Sequence, residues 1–105
     1  MCVQHLRGRT VLIIEPDIES ALALQDRLVD AGAIVLTAYR QERALELVNS
    51  ARLTGVIIDQ SVYIQTPGLR NHLRERTIPH VVHCASEPVS AVVGELGALV
   101  VAEAA

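Results

Sequence analysis

An α/β fold with a parallel sheet and helices wound onto both faces is what this 105-residue sequence predicts, and three observations lead there. Short, unbroken aliphatic and β-branched runs alternate with segments whose apolar residues recur at helical spacing. Two of those runs stop on carboxylates, at Glu15 and Asp59. Five strand-type runs separated by four helix-type segments call for right-handed crossovers, and the expected strand order is 2-1-3-4-5.

The elements follow in order. Thr10 to Ile14 is a strand of the kind buried on both faces, and it ends at Glu15-Pro16-Asp17. Asp17 can cap the helix that follows. Glu19 suits its first turn, Ile18, Ala21, Leu22, Gln25, Leu28 and Val29 share one face, and Gly32 supplies the stop. Ala33 to Thr37 reads as the second strand. Ala44, Leu45, Val48 and Ala51 then repeat at helical spacing from Gln41 to Ala51, with Glu42 and Glu46 turned outward. Val56-Ile57-Ile58 is the third strand, ending on Asp59, and a polar stretch with Pro67-Gly68 leads to a third helix from Gly68 to Arg76. Ile78 to Cys84 is the fourth strand, with Pro79 tolerated only at its start. A weak helix is expected from Glu87 to Leu96 and a fifth strand from Ala98 to Ala102, after which the chain ends without a fifth helix.

Composition narrows the function. Residues 1–105 are expected to form one domain, and half are apolar, with a mean hydropathy of +0.34 and a fifth charged, which argues against disorder. With two Tyr, no Phe and no Trp there is no stacking platform for single-stranded nucleic acid, and a net charge of −3 gives no pull toward nucleic acid or anionic membrane. All nine basic residues are Arg. The absence of Lys removes Schiff-base chemistry and phosphate-loop lysines. No signal peptide and no apolar run near membrane-spanning length is evident, so the expected location is cytoplasmic. Cys2 and Cys84 are too few for a disulfide scaffold or a cysteine zinc site.

In an open parallel sheet, ligands bind beyond the carboxyl ends of the strands where the strand order reverses, here between the first and third strands. Glu15 and Asp17 follow the first strand and Asp59 the third, so three acids would converge on one crevice and suit Mg²⁺. Taken singly, Asp17 is a helix cap and Asp59 a polar strand end; together they favour a site.

Val11 to Asp17, the apolar strand ending at Asp59, and Ile78-Pro79 through Ala85 resemble the receiver domain of bacterial response regulators over residues 9 to 102, a flavodoxin-like fold. The resemblance implies a stand-alone signalling domain of a two-component phosphorelay. Asp59 would be the phosphoacceptor, Glu15, Asp17 and Asp59 the Mg²⁺ ligands, Cys84 the switch residue, and a histidine kinase or phosphotransfer protein the partner. The likeness breaks in places. Pro16 stands where the second acid is usual, Cys84 replaces a hydroxyl with a weaker thiol donor, and the strand-five Lys has no counterpart. Losing a metal ligand and the ammonium removes charge stabilisation of about 2–4 kcal/mol each from phosphoryl transfer. A phosphorylation-independent interaction module is therefore the competing reading, and no independent enzyme activity is expected.

Other constellations are weaker. His83 and Cys84 are adjacent in a strand and point to opposite faces, which excludes a dyad. The four histidines show no ligand spacing, and each reads as a surface or satisfied residue. Arg70, His72, Arg74 and Arg76 make the third helix basic, which is usually only a solvated face and, where it has a function, suits an acidic patch on a partner protein. Without a fifth helix, one apolar sheet face would be left bare, which predicts a homodimer buried across it, or docking of that face on a partner's helix.

Overall fold

The computed structural model describes residues 6–104, so Cys2 and His5 lie outside the described residues. Its elements are β1 (Thr10–Ile14), α1 (Ile18–Asp30), β2 (Ile34–Ala38), α2 (Gln41–Ser50), β3 (Gly55–Asp59), α3 (Gln60–Gln65), α4 (Pro67–Glu75), β4 (His80–His83) and α5 (Val89–Ala104). The sheet is parallel throughout, in the order β2-β1-β3-β4.

Local chemistry explains most boundaries. The Asp17 carboxylate accepts from the Ser20 amide at 3.0 Å and the Ser20 hydroxyl at 2.8 Å, satisfying a donor that the first turn of α1 leaves without a helical partner. The other end of α1 closes in a Schellman pattern. Ala33 N–H donates to Leu28 C=O at 3.0 Å and Gly32 N–H to Val29 C=O at 2.9 Å, with Gly32 at φ 85°, a conformation glycine adopts without a Cβ penalty. Pro67 occupies the first turn of α4, where its missing N–H leaves nothing unsatisfied.

Each face of the sheet carries its own core. Val11, Ile13, Ile57 and Val81 pack with Ala21, Leu24 and Leu28 of α1 and with Val92, Val93, Leu96 and Val100 of α5. Leu12, Ile14, Val56 and Ile58 pack on the other face with Ala44, Leu47 and Val48 of α2 and Leu69 and Leu73 of α4.

This arrangement corrects the expected chain end. There is no fifth strand among the described residues; Ala98 to Ala102 continue the helix begun at Val89. That helix lies on the α1 face, where the sequence reading left bare sheet. The apolar surface expected to bury a homodimer is covered by Val92, Val93, Leu96 and Val100 of the chain itself. The polar stretch after Asp59 also holds a short helix, α3, that sequence periodicity did not signal.

Candidate functional site

Ionisable side chains gather at the carboxyl ends of three adjacent strands. Asp59 is in register with His83, and Glu15 follows Ile14, whose partner on β3 is Ile58. Side chains alternate along a strand, so Glu15, Asp59 and His83 follow the parity of Ile13, Ile57 and Val81 and stand on the α1/α5 face. Glu15 is 5% exposed and His83 4%, while Asp59 is half-buried.

His83 Nδ1 comes within 3.5 Å of Glu15 Oε1, although β3 lies between the strands that carry them. The pair therefore reaches across the end of β3. The Nδ1 atom is buried and makes no hydrogen bond, which marks an imperfectly satisfied buried group. Burial pushes the Glu15 carboxyl above its ordinary value and the neighbouring Asp59 carboxylate adds to the rise; the Asp17 backbone amide, donating at 3.2 Å, and His83 oppose it.

The other acids are engaged locally. Asp17 turns to Ser20 as the cap of α1, and those two hydrogen bonds hold its carboxyl below the ordinary range. Asp59 accepts from the Val62 amide at 3.3 Å as the cap of α3. Cys84 follows β4 with its Sγ 3.3 Å from the Ser86 hydroxyl, a contact that lowers the thiol's pKa, and its backbone N–H donates to Glu87 at 3.1 Å. These donors do not fit Mg²⁺, which requires several converging oxygens in near-octahedral array. Pro16 offers no side-chain oxygen, Asp17 is committed to Ser20, and among the described residues no three His, Cys, Asp or Glu side chains gather as a metal-holding group.

His83 is the residue that sequence reasoning missed. The spacing pattern alone gives a surface or satisfied histidine, whereas His83 is buried with an unpartnered nitrogen beside Glu15. The signal was present in the period-2 pattern, which sets positions 81 and 83 on one side of the strand.

Two solved structures share this architecture. A response regulator from Thermotoga maritima superposes with a TM-score of 0.66 at 18% identity, covering 87% of this chain and 78% of that one. The chemotaxis response regulator CheY4 of Vibrio cholerae gives 0.63 at 18% identity, covering 88% of this chain and 98% of that one. The fold is that of response regulators. No family model and no curated protein matches the chain. Among the described residues no helix is long and apolar enough to cross a membrane.

Proposed function

We propose that this response-regulator-like chain is a signalling module that works by protein–protein contact, without a Mg²⁺-dependent aspartyl-phosphate switch. The observation that carries the reading is that each of the three acids is engaged locally: Asp17 caps α1, Asp59 caps α3, and Glu15 lies against His83. Phosphoryl transfer to a carboxylate depends on a metal and fixed cations to neutralise the transferring oxygens. This chain supplies no lysine, and the nitrogen-bearing side chain against Glu15 is a histidine buried within the fold. What the fold offers instead is a rigid scaffold with surfaces for a partner.

A second reading keeps Asp59 as phosphoacceptor for a histidine kinase or phosphotransfer protein. It is favoured by the only partly buried position of Asp59 at the end of β3, beside a second carboxylate. Incubation with acetyl phosphate and Mg²⁺, followed by intact-mass measurement, separates the two. The contact-module reading expects no phosphoryl adduct on the wild-type chain and unchanged thermal stability on adding Mg²⁺. An adduct that disappears in Asp59→Asn establishes the second reading.

A further inference from the structure

We propose that the outer edge of β4 takes up an extended segment of a partner protein that is acidic at alternate residues. The proposal deepens the contact-module reading and rests on it. β4 is the last strand of the sheet, and no described residue pairs with its outer side. In a parallel ladder, successive residues turn their backbone groups to opposite sides. Val56 N–H donates to the Pro79 carbonyl at 3.0 Å, so Val81 faces β3, and the N–H and C=O groups of His80 and Val82 face outward. Outward groups of this kind form a template for an added strand. The segment of this chain that strand order would have placed there, Ala98 to Ala102, is helical and committed to the α1 side.

The two walls beside that edge differ in chemistry. A groove of about 320 Å³ at the start of β4 is lined by Leu73, Arg74, Pro79, His80 and Leu99, among others. Arg70, one turn before Arg74 on α4, lies 5.5 Å over the Tyr63 ring, and that ring stands 5.8 Å from His80. Between positions 67 and 80 there are three Arg and two His against the single acid Glu75, in a chain whose net charge is −3. The α5 side contributes Leu99, which is 38% exposed. A strand added here alternates its side chains between the walls, so acids on one face meet Arg70 and Arg74 while aliphatic residues on the other meet Leu99.

Charge decides between occupants. A second copy of the chain, added antiparallel about a two-fold axis normal to the sheet, sets α4 beside α4 and brings the arginines of both copies together. Like charges juxtaposed across an interface are repulsive, so complementarity selects a foreign acidic strand.

The test uses the whole ¹⁵N-labelled chain with a soluble, capped octapeptide of alternating Glu and Val as probe, and its Lys-Val counterpart as control. With the Glu-Val peptide, amide exchange at His80 and Val82 slows by about tenfold or more, the mark of new strand pairing, while Val81, already bonded to β3, changes little. The Lys-Val peptide binds about tenfold more weakly or worse, and Arg74→Glu, an exposed change, reverses the preference. Three results overturn the proposal: no protection at millimolar Glu-Val peptide, equal binding of the two peptides, or peptide-free protection at His80 and Val82 that grows with protein concentration, which assigns the edge to a second copy. None of these depends on Asp59. A phosphoryl adduct there refutes the contact-module reading without altering the exchange result, so the two failures are distinguishable.

Discussion

Glu15 places a carboxyl group in a nearly dry position, 5% exposed, and its protonation couples to folding. Burial raises its pKa above the ordinary 4.5, so the folded chain holds that proton more tightly than the unfolded chain does. The stability Glu15 contributes is therefore complete below the unfolded value and is lost as pH rises through the folded one. In thermal melts, Glu15→Gln should gain on wild type as pH climbs from about 4.5 toward neutrality and show the least advantage below that range. Asp17 acts with the opposite sign: its lowered pKa gives a contribution present above 3.8 and lost as pH falls through the folded value, so Asp17→Asn should be destabilising at neutral pH and least so in acid. Thr77 is a separate case, a β-branched residue at φ 51° in the turn between α4 and β4. Asparagine tolerates that conformation better, so Thr77→Asn is expected to raise stability by about 0.5–1 kcal/mol, measured by urea titration. The capping role of Asp17 was readable from the sequence because a cap is a local device, three residues long. The partnership of His83 with Glu15 was not, because the two positions meet only after three strands have been set side by side.

The first four strands and the bounds of the first two helices were legible because each has a local cause, such as unbroken β-branched runs, a capping carboxylate or a glycine stop. The buried face of α1 was not: Ile18, Leu22 and Val29 are exposed, and Leu24, outside the expected face, is core. The end of the chain was misread for an equally physical reason. Ala98 to Val101 is apolar at every position, and such a run fits a buried strand and a buried helix equally well. Tertiary demand decides it here. Val11, Ile13, Ile57 and Val81 form one sheet face that α1 alone does not cover, and a helix across it removes more apolar surface from water than a strand at the edge. Gly55 shows how closely α5 is seated: a Cβ placed there would meet Leu96 Cδ1 at 2.9 Å. Gly55→Val is accordingly expected to cost about 1–3 kcal/mol by overpacking, and Leu96→Ala in that background to recover part of the loss. Additive losses in a double-mutant cycle would show that α5 does not pack on β3 in this way.

The molecule as a whole is two apolar layers sharing one four-stranded sheet, and its cooperativity depends on that sharing. Leu24 is fully buried in the layer under α1 and α5, Leu73 in the layer under α4, and they belong to separate clusters. Each Leu→Ala change leaves a cavity costing about 2–5 kcal/mol, and sites without shared partners add to within about 0.5 kcal/mol. A domain of this length has about 5–15 kcal/mol in total, so Leu24→Ala and Leu73→Ala together should remove about 4–10 kcal/mol, a large share of it, as the sum of the two single losses. The single variants bear on cooperativity. Every strand that loses its cover on one face still carries the other, so neither layer can melt without stripping the sheet that supports its opposite. Urea unfolding of either variant, followed by far-ultraviolet circular dichroism and by the fluorescence of the tyrosines, is expected to give one coincident transition at a reduced midpoint. Two separated transitions, with Tyr63 beside β4 reporting the later one in Leu24→Ala, would show instead that the α2/α4 layer holds the sheet without its counterpart.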